Sequence, residues 1–286
     1  MSPLVRDRYP AGVPCWVDTG RPDPAATARF YADLFGWRFA DRMPAGSPGR
    51  YLVARLGEHA VAGVGSEPGG LTGTPAWATY VSVASADEAA ARVREAGGDV
   101  RAAPSDVLDE GRMAVCADPA GAEFRLWQPR AFAGAEVVNV AGTWNWSTLA
   151  TGEVERAVAF YGAVFGWEAT TMDLGQGEVV LCRLPGYGEF LEGLEPGIRR
   201  RHASGGLWAG FSDAVAWITP AGNAGDPARW DVTFAVEDAD AAAGRAADMG
   251  ARIVHSPVTM GVTRVAVLAD PGGALFTVSR YQPPSG

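Results

Sequence analysis

The stretch ARFYADLFGWRF, residues 28–39, returns 130 positions later in the chain as VAFYGAVFGWEA, residues 158–169. Its aromatic pair, its second phenylalanine and its Gly-Trp step keep the same spacing in both copies. A second repeat lies nearer the end of each copy, where AVCADPAGAEF at 114–124 matches AVLADPGGALF at 266–276. Self-similarity over this distance predicts one structural unit built twice within the 286 residues.

The second copy is longer than the first. The late repeat recurs after 152 positions rather than 130, so 22 residues have been added, and we assign them to an inserted loop at residues 186–206. A connection longer than about 15 residues is uncommon in a compact domain unless it has a role, so we expect this loop to cover the mouth of a binding site. The alternative is a short surface or interdomain helix with Leu191, Leu194 and Ile198 packed beneath it.

Helix signals punctuate short strands along both copies. Asp23 followed by Pro24 predicts an N-cap and the first helical position, and Gly36 predicts the left-handed end of that helix. Three further segments of helical pattern also stop at a glycine: residues 86–96, 153–165 and 239–249. Runs such as YLVARLG and TRVAVLA are typical of strands. Four helices among groups of short strands predict an α+β fold.

Composition and charge argue against several classes of protein. The chain has no apolar run near the roughly 18 residues needed to span a bilayer, so we expect no membrane partner. The first residues lack the basic start and apolar stretch of a secretory signal, which predicts a cytoplasmic location. A net charge of −9 argues against binding a phosphate backbone, so we expect no nucleic-acid partner. The three cysteines lie far apart, and this fits reduced thiols.

The repeated motifs together resemble a known superfamily. The FY-x-x-(V/L)-FGW helix end, the PCWVD opening strand at 14–18 and the ADP-x-G-A-x-F turn are similar to those of the vicinal oxygen chelate, or glyoxalase/bleomycin-resistance/dioxygenase, superfamily. The resemblance covers nearly the whole chain. It implies four βαβββ modules forming two glyoxalase-like domains with cup-shaped mixed sheets, at residues 1–132 and 133–286. More narrowly, the chain resembles two-domain actinobacterial members labelled hydroxylases, some associated with anthracycline-type aromatic polyketides.

The resemblance also implies a divalent metal held in the cup by His, Glu or Gln. Counting from the repeated motifs places the ligand positions at Trp16, Ala78, Arg125, Trp146, Asp231 and Thr277. An indole nitrogen only donates hydrogen bonds, and an arginine repels a cation, so a single carboxylate is left. The three histidines, His59, His202 and His255, share no ligand spacing. We therefore predict no metal and no other cofactor, which disfavours chelate-type dioxygenase and glyoxalase activities.

Aromatic walls with a few polar groups are typical of a pocket for a flat apolar ligand. Alternation along the strands predicts the residues that line the cups: Trp16, Asp18, Trp127, Trp144, Trp146, Thr277 and Ser279. The candidate catalytic residues are Arg125, which can pair with a phenolate or carboxylate, and Asp231, which can accept a hydroxyl proton. The expected partner is a planar aromatic small molecule.

Structural alternatives accompany these assignments. Trp37 and Trp167 follow the helix-ending glycines and are expected to pack in the core, together with the Phe-Tyr pairs of the repeat. Trp16 and Trp146 line a pocket in one interpretation and fill a core in the other. Arg125 can serve a ligand, or it can satisfy a carboxylate inside the cup, either Glu123 or Asp18.

Three functional hypotheses follow. The first is a metal-independent, hydroxylase-like or auxiliary enzyme of aromatic polyketide or antibiotic metabolism. The second is a protein that sequesters a drug or metabolite without converting it, as bleomycin-resistance members do, and it requires only a shaped apolar cavity. In the third, one domain is degenerate and completes the fold or a dimer. A monomer and a homodimer both remain open.

Overall fold

A computed structural model describes residues 4–66, 75–173, 177–204, 210–223 and 225–282. The strands of the first copy are β1 Pro14–Arg21, β2 Arg38–Asp41, β3 Tyr51–Leu56, β4 His59–Ser66, β5 Trp77–Ser82, β6 Asp99–Val107, β7 Gly111–Ala117 and β8 Glu123–Pro129. Those of the second copy are β9 Trp144–Thr151, β10 Glu168–Asp173, β11 Glu178–Arg183, β12 Ala214–Pro220, β13 Arg229–Ala235, β14 Arg252–Met260, β15 Thr263–Ala269 and β16 Leu275–Tyr281. The expected domain boundary between residues 132 and 133 falls in the connection from β8 to β9.

Each copy forms one mixed sheet of eight strands. The order is β2-β3-β4-β1-β5-β8-β7-β6 in sheet one and β10-β11-β12-β9-β13-β16-β15-β14 in sheet two. The first strand of each copy runs parallel to the fourth and antiparallel to the fifth. This arrangement is two βαβββ modules side by side in each sheet, so the α+β fold with four modules in two glyoxalase-like domains is confirmed.

The helices are α1 Pro24–Phe35, α2 Ala86–Glu95, α3 Val154–Phe165, α4 Tyr187–Leu194, α5 Ile198–Ser204 and α6 Ala239–Asp248, with a 3₁₀ turn at Phe211–Asp213. The Asp23 side chain caps α1 by accepting a hydrogen bond from the Ala26 N–H, and Gly36 ends the helix at φ 75°. The predicted bounds of α1, α2, α3 and α6 are confirmed to within a residue. In the part of the chain that is described, no helix is both long and apolar enough to cross a bilayer.

The repeated helix ends pack against the sheet of the other copy. Tyr31 on α1 donates a hydrogen bond to Asp270 at 3.0 Å, in the DPGG turn of the second copy. Tyr161 on α3 donates to Asp118 at 3.2 Å, in the DPAG turn of the first copy. The two repeated motifs of the sequence therefore meet each other, reciprocally, across the junction between the copies.

Further contacts follow the same reciprocal pattern. Trp37 donates from Nε1 to the Gly142 carbonyl at 2.6 Å, and Trp167 donates to the Gly12 carbonyl at 2.7 Å. Two groups of phenylalanine rings pack across this junction. In one group, Phe30 and Phe35 of the first copy contact Phe234 and Phe276 of the second. In the other, Phe124 of the first copy contacts Phe160 and Phe165 of the second. The expected core role of Trp37, Trp167 and the Phe-Tyr pairs is confirmed by their burial.

One ion pair at this junction has no counterpart in the other copy. Arg21 donates to Asp270 at 2.5 Å, and the side chains of both residues are nearly inaccessible, at 3% and 2% exposed. The equivalent of Arg21 in the second copy is Thr151. Two buried charges with one another as partners tie the first strand of copy one to the late turn of copy two.

The inserted segment is largely helical. Helices α4 and α5 occupy most of it, and Tyr187, Leu191 and Ile198 are buried beneath them, which agrees with the helical alternative. Residues 205 and 206 of the expected loop lie outside the described residues. Helix α4 packs on the N-terminal segment, where Arg6 donates to the Tyr187 hydroxyl at 2.5 Å.

Candidate functional site

Each sheet has one face packed on the helices and one face turned away from them. We call the second kind of face cup one in the first copy and cup two in the second. Residues opposite each other in the strand register share a face. Asp18 lies opposite Ala78, and Tyr80 lies beside Arg125, in cup one. In cup two, the neighbouring residues on β9, β13 and β16 are Trp146, Thr233 and Thr277.

Cup one is filled by its own side chains. Asp18, which is 3% exposed, accepts hydrogen bonds from the Tyr80 hydroxyl at 2.5 Å and the Tyr51 hydroxyl at 3.1 Å. The Arg125 guanidinium donates to the same carboxylate at 2.9 Å. Trp16 donates from Nε1 to the Tyr51 oxygen at 2.8 Å. The predicted residues Trp16, Asp18 and Arg125 do come together, but they contact one another.

Close packing and neutral tyrosines complete this network. The Tyr51 ring lies over Gly63, where a Cβ atom would collide with the tyrosine hydroxyl. Burial raises the pKa of Tyr51 and of Tyr80 well above the ordinary value, so both remain hydrogen-bond donors at neutral pH. The geometry favours the structural interpretation of Arg125, as the partner of Asp18.

Trp127 also lies in the interior of cup one. It is 6% exposed, and its Nε1 donates to the Phe132 carbonyl at 2.9 Å. The Phe132 ring stands edge-on to Trp16, with the ring centroids 4.9 Å apart. The segment after β8 therefore closes this end of cup one.

Cup two presents an aromatic cradle. The Trp146 ring is parallel to Phe211 of the 3₁₀ turn, with centroids 6.1 Å apart and 7° between the planes. Trp217 on β12 also contacts Trp146, with the ring centroids 5.9 Å apart and 50° between the planes. Trp146 and Trp217 are only half-buried, in contrast with the buried Trp16 of cup one. The connection between β11 and β12, which contains the inserted segment, thus contributes an aromatic wall to cup two.

Three buried polar atoms at the start of β9 have no hydrogen-bond partner in the described part of the chain. They are Nε1 of Trp144, Oδ1 of Asn145 and Nε1 of Trp146. Asn145 uses its amide nitrogen to donate to Ser279 Oγ at 3.3 Å. A buried polar group without a partner costs about 1–3 kcal/mol. Trp144 was predicted to line cup two, but it lies opposite Phe234 on the helix face, because the strand register shifts at Asn145. Ligand atoms in cup two would therefore be stabilising at Asn145 and Trp146.

Asp231 and two threonines form the polar floor of cup two. Asp231 lies opposite Thr148, and Thr233 lies beside Thr277 on the neighbouring strand. Asp231 Oδ1 accepts a hydrogen bond from Arg229 Nε at 3.0 Å. Burial raises the pKa of Asp231, although the charge of Arg229 acts in the opposite direction. A carboxyl group of this kind holds its proton to higher pH than an exposed one.

A hollow of about 390 Å³ lies at the end of cup two, against β14 and β15. It is lined by Val254, His255, Ser256, Val258, Met260, Val265 and Val267. His255 lies opposite Val267, which lies opposite Thr277, so the hollow belongs to the same face as the aromatic cradle.

Comparisons with known proteins agree with this architecture. The family model described as "Glyoxalase/Bleomycin resistance protein/Dioxygenase superfamily" matches residues 16–126, and that of a "Glyoxalase-like domain" matches residues 146–279. The chain belongs to the glyoxalase/bleomycin resistance protein/dioxygenase superfamily.

Two relatives in this superfamily cover nearly the whole chain. "Putative glyoxylase CFP32" of Mycobacterium tuberculosis is 35% identical over 281 residues, which are 97% of this chain and 98% of that protein. "Anthracycline biosynthesis protein DnrV" of Streptomyces peucetius is 35% identical over 284 residues, covering 95% and 94%. The Mn(II)-bound glyoxalase from Novosphingobium aromaticivorans shares the fold, with a TM-score of 0.59, 15% identity and coverage of 94% and 82%.

The residues present do not fit the metal that the superfamily resemblance implies. Of the six expected ligand positions, the structure places Trp16 and Arg125 in hydrogen bonds inside cup one, and Trp146 in an aromatic stack. Asp231 is paired with Arg229. Across the described residues, no three His, Cys, Asp or Glu side chains form a group that could hold a metal ion.

Several residues of cup two were missed by the sequence reasoning. Trp217 could have been found by the alternation of β12, and Asn145 lies between two predicted tryptophans at a shift in strand register. Phe211 had no sequence signal, because its place depends on how the inserted segment packs. His255, one of the three histidines without a shared ligand spacing, lies within β14 and lines the hollow.

Proposed function

We propose that this superfamily member binds a planar aromatic small molecule in cup two without a divalent metal, as a hydroxylase-like or auxiliary protein of aromatic polyketide metabolism. The observation that carries the proposal is the half-buried Trp146, flanked by Phe211 and Trp217 on the open face of sheet two. Stacked rings and indole walls supply the contact area that a flat ligand needs.

The unpartnered atoms of β9 favour a ligand that carries oxygen atoms on one edge. Trp146 Nε1 is a donor and fits a carbonyl or phenolate oxygen, whereas Asn145 Oδ1 is an acceptor and fits a hydroxyl. A hydroxyl next to a ring carbonyl, as on a hydroxyquinone, satisfies both. Such a ligand would remove two desolvation costs that the free protein carries.

Asp231 is the candidate base in this proposal. It shares the face of Trp146, and burial raises the pKa of its carboxyl group towards the range in which it can exchange protons with a phenolic hydroxyl. Arg125 has a different role, because it neutralises Asp18 inside cup one. We accordingly propose that cup one supports the fold and that cup two is the functional site.

The name of one relative supports the ligand class. DnrV is named for anthracycline biosynthesis and matches this chain along 95% of its length, so an aromatic polyketide is a reasonable class of ligand for both. The other relative's name points to glyoxylase chemistry. The donor set of this chain fits that chemistry poorly, because the six expected metal positions hold two indoles, an alanine, an arginine, a threonine and only one carboxylate. We place the protein in the cytoplasm, where its buried thiols remain reduced.

Sequestration is the second candidate function, and the Asp231–Arg229 pair favours it. A carboxylate held at 3.0 Å by a guanidinium is a weaker base than one left to a substrate. A protein that only stores or masks its ligand needs the aromatic cradle and no base at all.

Isothermal titration with a panel of hydroxyanthraquinones tests the binding proposal. Two matched variants locate the site: Trp146→Phe and Trp16→Phe make the same change at equivalent positions of the two cups. We expect Trp146→Phe to weaken binding about three- to tenfold, because it removes one donor and part of the stacked ring. Trp16→Phe leaves affinity unchanged if the ligand lies in cup two, and equal losses in both variants would contradict that location.

Product analysis of the same mixtures separates the two functions. Conversion of the ligand by chelator-treated protein, and its loss in Asp231→Asn, supports the enzyme. Tight binding with chemically unchanged ligand supports sequestration. A stoichiometric metal found by elemental analysis, with binding lost on chelation, overturns metal independence.

A further inference from the structure

We infer that cup two contains a second subsite, the aliphatic hollow between β14 and β15, and that its ligand is a flat ring system bearing an aliphatic substituent. The ring part of this inference rests on the proposed function. The aliphatic part rests on separate features of the last module. Nothing in the sequence motifs or in the relatives' names points to such a substituent.

The lining of the hollow is mainly aliphatic. Val258, Val265, Val267 and Met260 face it, and only His255 and Ser256 add polar atoms. Val258 and Met260 remain 44% and 39% exposed, although both are large apolar side chains. A cluster of exposed apolar side chains in a concave site marks a surface that gains stability when a ligand covers it.

The hollow lies on the same face of sheet two as the aromatic cradle. The strands β9, β13, β16 and β15 are direct neighbours in sheet two. Three strand spacings of about 4.8 Å therefore separate Trp146 on β9 from Val267 on β15. The distance along the sheet is therefore about 14 Å. Thr233 and Thr277 occupy the columns between them, and both are half-buried.

In cup one, larger side chains occupy the equivalent positions. The positions that correspond to Thr233 and Thr277 hold Tyr80 and Arg125, which reach into the cup to contact Asp18. Val115, which corresponds to Val267, is 4% exposed, whereas Val267 is half-buried. Between the rings and the aliphatic hollow, cup two therefore has two small threonines where cup one has a tyrosine and an arginine, which leaves more room for a ligand in cup two.

The hollow should make the protein selective for ligands that carry an aliphatic substituent. A flat nucleus that lacks a side chain fills the cradle and leaves the hollow in contact with water. A substituent of several carbons reaches past Thr277 and covers Val265 and Val267. Because each buried methylene contributes a roughly constant increment, affinity should rise with chain length until the hollow is full.

The test compares a dihydroxyanthraquinone with its propyl, pentyl and heptyl derivatives on the full chain. We expect the dissociation constant to fall by up to about fourfold per added methylene. Val267→Phe should abolish this dependence on chain length. Ile253→Phe is the matched control, because Ile253 lies on β14 opposite Leu268 on the helix face and should leave the dependence intact.

Methyl resonances of ¹³C-labelled methionine give an independent readout. Met260 lines the hollow, while the similarly exposed Met43 lies in sheet one's connection between β2 and β3 and serves as the internal control. The heptyl derivative should shift Met260 and leave Met43 unmoved, and octan-1-ol should shift Met260 without any aromatic ring.

The outcomes distinguish this inference from the proposed function. If no anthraquinone binds yet octan-1-ol shifts Met260, the hollow stands and the aromatic proposal falls. If the unsubstituted nucleus binds while longer chains add no affinity and Met260 does not move, the aliphatic subsite is overturned. If neither probe has an effect, both are overturned.

Discussion

Asp18 and Asp231 are carboxylates on the open faces of the two sheets, and their surroundings differ. Asp18 lies on the first strand of its copy, opposite Ala78, and accepts hydrogen bonds from two tyrosines and Arg125. Asp231 lies on the fifth strand, opposite Thr148, and has Arg229 as its partner. The first arrangement fixes a carboxylate within a closed network, and the second leaves one at the floor of an open cup.

Replacing Asp231 tests the cost of its burial. Because burial raises its pKa, the folded protein retains this proton over a pH range in which the unfolded chain has lost it. Unfolding then releases a proton, so the free energy of unfolding contributed by Asp231 falls as pH rises through that range. We expect Asp231→Asn to be more stable than wild type at pH 7 and to show a flatter dependence above pH 4. Urea unfolding across that range measures both.

Asp33→Asn is the control for this prediction. Asp33 is exposed on α1, so its replacement should change the stability and its pH dependence little. A loss of stability at pH 7 in Asp231→Asn, with Asp33→Asn unchanged, would mean that the charged Asp231–Arg229 pair is net stabilising.

The residues that line the cups could be predicted from the sequence, but the hydrogen-bond partners of these residues could not. Strand alternation placed Trp16, Asp18 and Arg125 on one face, because side chains alternate regardless of tertiary packing. It could not decide between a ligand and Asp18 as the partner of Arg125. That choice depends on Tyr51, which reaches Asp18 only because Gly63 leaves room for its ring, and this contact joins the β3–β4 hairpin to a strand 33 residues earlier in the chain.

At the scale of the elements, the inserted segment contacts the N-terminal segment through α4 and the aromatic cradle of cup two through α5. Helix α4 packs on the N-terminal segment, and His202 on α5 contacts both Ser212 and the ring of Phe211. The length difference between the copies predicted that something was inserted, and the apolar spacing of Leu191 and Ile198 indicated a helix. The position of Phe211 over Trp146 could not be predicted, because it follows from how two short helices pack together.

The contribution of the whole connection between β11 and β12 can be measured with Phe211→Ala. Removing the ring takes away one wall of the aromatic cradle, and stacked aromatic pairs contribute about 0.5–1.5 kcal/mol beyond their buried area. We expect a hydroxyanthraquinone to bind about three- to tenfold more weakly, as measured by titration calorimetry.

Phe190→Ala is the matched control within the same connection. Phe190 stacks on Tyr187 and lies beneath Arg8, on the side of α4 that faces the N-terminal segment. Its loss should lower thermal stability without changing affinity. Equal effects on affinity from both variants would show that the inserted segment acts through overall stability and not through the cradle.

At the scale of the whole molecule, the duplication produces two copies that complete each other. The repeated sequences predicted two similar units and helices packed on sheets. Which rings of the other copy each helix end meets could not be predicted, because those contacts depend on how the two sheets pack together. Each helix lies on the strands of its own copy and reaches the other copy at its end: α1 contacts Phe276 and Asp270 of the second copy, and α3 contacts Phe124 and Asp118 of the first.

The Arg21–Asp270 pair should be one of the strongest single contacts between the copies. Arg21→Ala leaves the Asp270 carboxylate buried without its cation, and loss of one partner of a buried pair typically costs about 3–5 kcal/mol. Arg50→Ala, which breaks an exposed pair with Asp41, should cost less than about 1 kcal/mol. Equilibrium unfolding in urea compares the two, and similar small losses would contradict the structural role of Arg21.

Reciprocal packing makes a sharper prediction about the separated copies. A fragment of residues 1–132 exposes Phe124, Phe30 and Tyr31, all of which are covered by the second copy in the intact chain. A fragment of residues 133–286 exposes Phe234 and Phe276 in the same way. Apolar surface of this extent is not stable in water, so we expect each fragment alone to aggregate or to self-associate. Mixing the two during refolding should restore a 1:1 complex with the tryptophan fluorescence of the intact protein, detected by size-exclusion chromatography with light scattering. A monomeric fragment that unfolds cooperatively on its own would show that each copy is an independent domain and that the contacts between the copies are not required for either fold.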